Sequence, residues 1–224
     1  MNRNMMLGVG SGVLAGALWG LVFLAPSLTP DFSPAQISVA RYLAYGMVSA
    51  ILAAPGWRRL SAKLASADWL SLAWLGLAGN IVYYIFLALA VQLAGPAPTA
   101  LIVGLLPVVI TIVGTQEEGA VPLGKLAPSL ALAVAGVVLL SFASLAHGTA
   151  HGSWQERLIG LFCAAGALAS WGAFAVGNTR CVQRLPHVSA HDWSLLLGVV
   201  SGAEALVLAG PVFLWPGTVH PHMD

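Results

Sequence analysis

Glu204 and Arg41 are charged residues that fall inside long apolar stretches of this 224-residue chain. A charge at the centre of a membrane helix costs about 2.5–3.5 kcal/mol on insertion scales, so its retention calls for a reason. Glu204 is twelfth in the apolar run 193–215, close to the middle. A carboxylate there suits proton coupling or a cationic substrate; equally, a protonated Glu can hydrogen-bond a neighbouring helix. Arg41 is sixth in the run 36–54. Its stem can snorkel toward the headgroups, or its guanidinium can meet an anion or brace a bundle. Asn80, Tyr83 and Tyr84 share one side of a third run, at three- and four-residue spacing. Polar groups at that depth face protein or a water-filled cavity, so they either line a pathway or bond across helices. Trp19 and Trp171 lie off the centres of their runs, which suits interface anchoring or a flat wall for an amphipathic metabolite. Pro107 removes a backbone donor in mid-run and opens a kink, either a moving part or only a bend. Gly8, Gly12, Gly16 and Gly20 recur every four residues down one helix face. Such a strip lets another backbone come close, as static packing or as a surface on which one bundle rocks against another.

The elements that must position these residues follow from composition. Hydrophobic residues make up 58% of the chain and charged residues 8%, nine Lys+Arg against eight Asp+Glu. A soluble chain of this length carries roughly a quarter charged residues, so a water-exposed globular surface and a disordered chain are both excluded. A net charge of +1 with no basic patch gives no footprint for nucleic acid. Continuous apolar runs such as LGVGSGVLAGALWGLVFLA are too long and too uniform for barrel strands, and they match the roughly 20 residues a helix needs to cross a bilayer. The chain therefore reads as an all-α polytopic membrane protein with spans at 7–26, 36–54, 69–89, 96–115, 126–145, 158–179 and 193–215.

Orientation comes from basic residues in short loops. With the N-terminus cytoplasmic, the inner segments contain Arg3, then Arg58, Arg59 and Lys63, then Lys125, then Arg180 and Arg184, which is seven of the nine. The bilayer so implied is a plasma or bacterial inner membrane. A faint internal repeat accompanies this pattern. Ala17-Leu18-Trp19-Gly20 corresponds to Ala169-Ser170-Trp171-Gly172, an offset of 152, and Ser33 to Ser38 corresponds to Ser189 to Ser194, an offset of 156. Five spans separate the copies, so the second begins on the opposite side of the membrane, as in the inverted repeats of secondary transporters.

At this point the residues resemble a family. LAGALWGLVF, SPAQISVARYLAYG and the long stretch LALAVQLAGPAPTALIVGLLPVVITIVGTQEEGAVPLGKLAPSLALAVAGVVLL are similar to the EamA-type domain of the drug/metabolite transporter superfamily. The ordered features are a Trp-Gly in the first helix, Arg41 in the second, a small-residue fourth helix with Leu-Pro-Val, and the acidic pair Glu117-Glu118 closing it. Here that pair follows Thr115-Gln116, where the family usually has Leu-Gly-Glu. The resemblance implies ten helices in two inverted five-helix repeats that export or exchange small metabolites. On that template, residues 1–146 form a first repeat and 147–224 a partial second one, and helices eight to ten are missing.

No Walker loop, dinucleotide-binding glycine pattern, nucleophile elbow or zinc-protease motif occurs in the chain. His147 and His151 have helical spacing but flank Gly148 in an outer loop with no third ligand, so no metal and no cofactor is expected. Cys163 and Cys181 read as free thiols. No catalytic residue is assigned. The leading expectation is a secondary transporter of amino acids, amines or drugs, with a small-molecule substrate and the lipid bilayer as partners, either as a homodimer or beside the missing helices. The alternatives are a non-transporting structural or regulatory subunit, a fragment, and an intramembrane enzyme using Glu204.

Overall fold

The computed structural model describes residues 3–114 and 153–214, together with Gly124, Ala127, Pro128, Ala131, Leu132 and Ala135. Among the described residues the regular elements are all helical. They are α1 (Met5–Leu28), α2 (Pro34–Ser61) and α3 (Ser66–Ala94), then α4 (Pro96–Val103) and α5 (Leu106–Gly114), then α6 (Trp154–Arg184) and α7 (Ala190–Leu214). α1, α2, α3, α6 and α7 are long and apolar enough to cross a membrane. The chain is an all-α polytopic membrane protein. The expected span 126–145, the Glu117-Glu118 pair and His147 and His151 lie outside the described residues.

Several helices outrun their expected spans because their starts are capped. At α2 the Ser33 hydroxyl accepts from the Gln36 N–H at 3.2 Å while the Gln36 side chain accepts from Ser33 N–H at 2.8 Å. Ser153 and Glu156 form the same reciprocal pair at α6. Two otherwise orphaned donors are satisfied each time, which extends the helix past the apolar run. At 31 residues, α6 is about 46 Å long against a hydrocarbon core of roughly 30 Å, so its charged ends reach water.

Expected span four is broken rather than bent. Leu105 donates to Ile102 O and the chain restarts as α5 with Pro107 at its second position. A proline there lacks the N–H that would have continued the ladder. The turn from α3 into α4 is made by Gly95 at φ +92°, the left-handed region open to a residue without Cβ.

The helices pack in antiparallel pairs, α2 on α7 and α3 on α6, with α7 also against α3. Bundles without a hydrophobic driving force between helices rely on small residues at contacts. Gly46 and Gly202 press backbone to backbone where α2 crosses α7, and Gly198 lies against Ser49. Gly160 of α6 abuts Ala94 of α3 in the same way. The strip at Gly8, Gly12, Gly16 and Gly20 behaves differently: a methyl group added to any of the four would meet nothing within 4 Å, so the strip packs against no described helix. α1 is exposed from Met5 to Gly20 and joins the bundle through its second half, where Val22 and Pro26 are buried. Large apolar side chains such as Val13, Phe162 and Val207 face outward, the distribution expected when the surroundings are lipid.

Candidate functional site

A cavity of about 400 Å³ opens between α2, α3, α6 and α7. Arg41, Tyr42 and Tyr45 line it from one turn of α2, and Asn80 from α3. The opposite walls are Phe174 and Asn178 of α6 with Trp193 and Ser194 of α7. Its size lies within the range of small-molecule sites, and apolar rings with a few polar groups are the usual lining of such sites.

Arg41 is exposed, and its side chain lies over two aromatic rings. Its guanidinium carbon lies 4.9 Å from the centre of the Tyr84 ring and 5.7 Å from that of Tyr42. Tyr42 and Tyr84 meet edge to face at 6.1 Å, so the two rings brace each other beneath the cation. Cation–π contacts contribute about 0.5–2 kcal/mol. That is less than the roughly 2.5–3.5 kcal/mol cost of an arginine at membrane depth, so the rings orient the charge without neutralising it.

Asn80 sits in a π-helical turn, Leu77–Val82, inserted in α3. Such turns widen the helix and recur at functional sites. Two serines from neighbouring helices bond carbonyls of this turn: Ser38 Oγ donates to Ile81 O at 3.4 Å and Ser170 Oγ to Ala78 O at 2.7 Å. Two glycines make the room for it. Gly79 lies beneath the Phe174 ring, and a methyl at Gly76 would come within 2.9 Å of both Ser201 Oγ and Glu204 Oε2. Asn80 therefore does two things at once. It lines the cavity, and its Nδ2 donates to Ser201 Oγ at 2.6 Å, across to α7.

Glu204 lies one helical turn beyond Ser201, packed over Gly76, with Oε2 buried and without a hydrogen-bond partner among the described residues. It does not line the cavity. Tyr83 also points elsewhere: its hydroxyl is buried and unpartnered, and its ring lies 6.4 Å from Trp171. Trp171 continues to Phe174 at 5.7 Å and to Trp19 at 6.2 Å. The two tryptophan rings meet at a 45° tilt, and Trp19 remains 39% exposed. Pro107 is exposed at the start of α5 and outside the cavity. Of the residues singled out in the sequence, the structure gathers Arg41 and Asn80 at the cavity, with Tyr84 behind the guanidinium.

The rest of the lining was not singled out from the sequence. Arg41 and Tyr45 are four apart on one helix face, a spacing that could have flagged Tyr45. Asn178 is an amide inside an apolar run, the same signal that marked Asn80. Trp193 stood at the edge of its expected span, where an interface anchor looks identical. Its indole N–H donates to Asn178 Oδ1 at 2.8 Å, and Tyr45 Oη donates to the Ser194 carbonyl at 3.1 Å.

Just past Trp193, two ion pairs tie the connections at one end of the bundle. Lys63 Nζ meets Asp192 Oδ2 at 3.3 Å, and Arg184 Nη2 meets Asp68 Oδ1 at 2.8 Å. Asp68 is nearly buried and its other oxygen caps α3 by accepting from Ala65 N–H, whereas the Arg184 side chain is 55% exposed. Partly exposed pairs contribute on the order of 1 kcal/mol or less, so each is a contact the molecule can make and break.

A profile of the EamA-like transporter family matches residues 6–142. The chain is also similar to the inner membrane protein YtfF of Escherichia coli K12, with 32% identity over 221 residues covering 97% of this chain and 68% of that protein. No solved structure matches it.

Proposed function

Because the chain belongs to the EamA-like transporter family, we propose that it is a multi-pass inner-membrane secondary transporter. It moves small organic metabolites by alternating access between two inverted repeats. The observation that carries this reading is a pair of contacts. Trp19 touches Trp171, and Gly46 touches Gly202. The first pair is related by the repeat offset of 152 and the second by the offset of 156. Two residues exchanged by a twofold rotation can touch only beside the rotation axis. Antiparallel α2 and α7 meeting at equivalent glycines is therefore the geometry expected of an inverted repeat, whose substrate site lies near mid-membrane at the interface of the halves. The cavity is lined by α2 and α3 on one side and by α6 and α7 on the other, which supports reading it as that site.

Residues of this chain divide the work. Arg41, Asn80 and Asn178 hold the polar part of a substrate, and the surrounding rings hold its apolar part. The Lys63–Asp192 and Arg184–Asp68 pairs join the first repeat to the second at the end richest in basic residues. By the positive-inside rule that end is cytoplasmic and so is the N-terminus, which makes the two pairs the cytoplasmic closure. Breaking them opens the cavity to the cytoplasm.

The test is reconstituted flux with a reversible lock. Cysteines replace Lys63 and Asp192 in a chain whose Cys163 and Cys181 are changed to alanine, and proteoliposome efflux is measured for a panel of amino acids and organic acids. Oxidative cross-linking should stop efflux and reduction should restore it. Undiminished efflux from the cross-linked protein, or no efflux of any panel member, would overturn the reading.

A further inference from the structure

We propose that the cavity selects a small organic anion, a carboxylate carried on a flat apolar body, and rejects amines and cationic drugs. The inference rests on reading the cavity as the transport site and narrows its substrate class. Arg41 is the charged side chain in the lining, and among the described residues no carboxylate lines the cavity with it. Among the described residues no Asp or Glu lies within ion-pair distance of its guanidinium. Glu204 is turned onto Gly76.

The polar groups around the cation reinforce that sign. Two acceptors of the wall are already used, Asn178 Oδ1 by the Trp193 indole and the Ser194 carbonyl by the Tyr45 hydroxyl. An indole N–H can only donate, which fixes the oxygen of Asn178 toward Trp193 and leaves its amide NH₂ for a ligand. A ligand then meets the guanidinium N–H groups and the Asn178 NH₂ as donors and the Asn80 side-chain oxygen as an acceptor, so the formal charge offered by the described lining is positive. The guanidinium lies against the rings of Tyr42 and Tyr84, whose hydroxyls also approach it, and its five N–H donors leave others to pair with a carboxylate. Tyr42, Tyr45, Phe174 and Trp193 supply the walls for a planar body within about 400 Å³.

Three probes with one ring and three charges test this: benzoate, benzamide and benzylamine, titrated by saturation-transfer NMR against the whole chain in phosphatidylcholine nanodiscs. Benzoate should bind more tightly than benzamide, and benzylamine least. Arg41→Gln should weaken benzoate by about tenfold or more while leaving benzamide unchanged. Arg41→Lys, which keeps the charge but loses the forked donors, should recover only part of the benzoate affinity that Arg41→Gln loses. Benzylamine binding as tightly as benzoate to the unaltered chain overturns the proposal, and that comparison holds even if the Arg41→Gln chain does not fold. Benzoate affinity unaffected by Arg41→Gln overturns it as well. Benzoate binding in nanodiscs without benzoate flux in proteoliposomes leaves the anion site standing and counts against transport alone. Flux of a cationic metabolite insensitive to Arg41→Gln does the reverse.

Discussion

Two charged residues at membrane depth have opposite fates in this molecule. Arg41 is presented to a cavity on a seat of two tyrosine rings, and Glu204 is stowed over a glycine with one oxygen unpartnered. The sequence marked both as unusual for the same reason, the cost of charge in hydrocarbon. It did not separate them, because which way a side chain leaves a helix depends on neighbours far along the chain, outside any local pattern: Tyr84 for one and Gly76 for the other. The Oε2 of Glu204, without a hydrogen-bond partner among the described residues, makes that residue the candidate for proton coupling, so Glu204→Gln should flatten any pH dependence of efflux while leaving the protein folded. Flux measured across pH 5.5–8 checks this, and an unchanged pH profile excludes Glu204 from coupling. The Asn80–Ser201 bond is a stability matter as well. Removing its acceptor in Ser201→Ala should cost about 0.6–1.7 kcal/mol, the span measured for hydrogen bonds between membrane helices, read as a lower unfolding midpoint in detergent.

At the scale of helices, the apolar runs located every long span among the described residues to within a few positions, because spanning requires length and hydropathy together. What they could not reveal is the interior irregularity of α3 and the break between α4 and α5. Both depend on groups outside the element: serines from α2 and α6 that bond the π turn, and a proline whose effect, bend or break, is decided by packing. Glycine spacing misled in an instructive way. The regular strip of α1 meets no described neighbour, and the close contact is made by Gly46 against Gly202, whose own four-residue spacing from Gly198 was not singled out from the sequence. The two cases predict opposite outcomes for one substitution. Gly46→Ala should destabilise the bundle by about 1–3 kcal/mol, since a methyl there meets the backbone of Gly202 and cannot be relieved by a rotamer change. Gly12→Ala should leave the monomer's stability within about 0.5 kcal/mol. Thermal unfolding of both variants in the same detergent decides between them.

For the whole molecule, the basic residues that oriented the chain on paper prove to have a second use in it. Lys63 and Arg184 are held by Asp192 and Asp68, so charges read only as topology signals are joined across the two halves. A charge-reversed pair, Lys63→Asp with Asp192→Lys, should restore efflux that either single change alters, and the restoration should weaken at high salt, since exposed pairs are screened. The glycine contact sets how far such pairs must travel. Gly46 lies seven residues before Ala53, an arm of about 10 Å at the rise of an α-helix. With the point where the two backbones touch acting as a fulcrum, a swing of about 15° carries the end of that arm by roughly 3 Å. In the proposed cycle such a swing would take the 3.3 Å Lys63–Asp192 separation, between the residue just after α2 and the first turn of α7, past contact, while the Gly46–Gly202 crossing hardly moves. The proposed opening would then need only a small rotation about bare backbone, with no side chain at the hinge to give way.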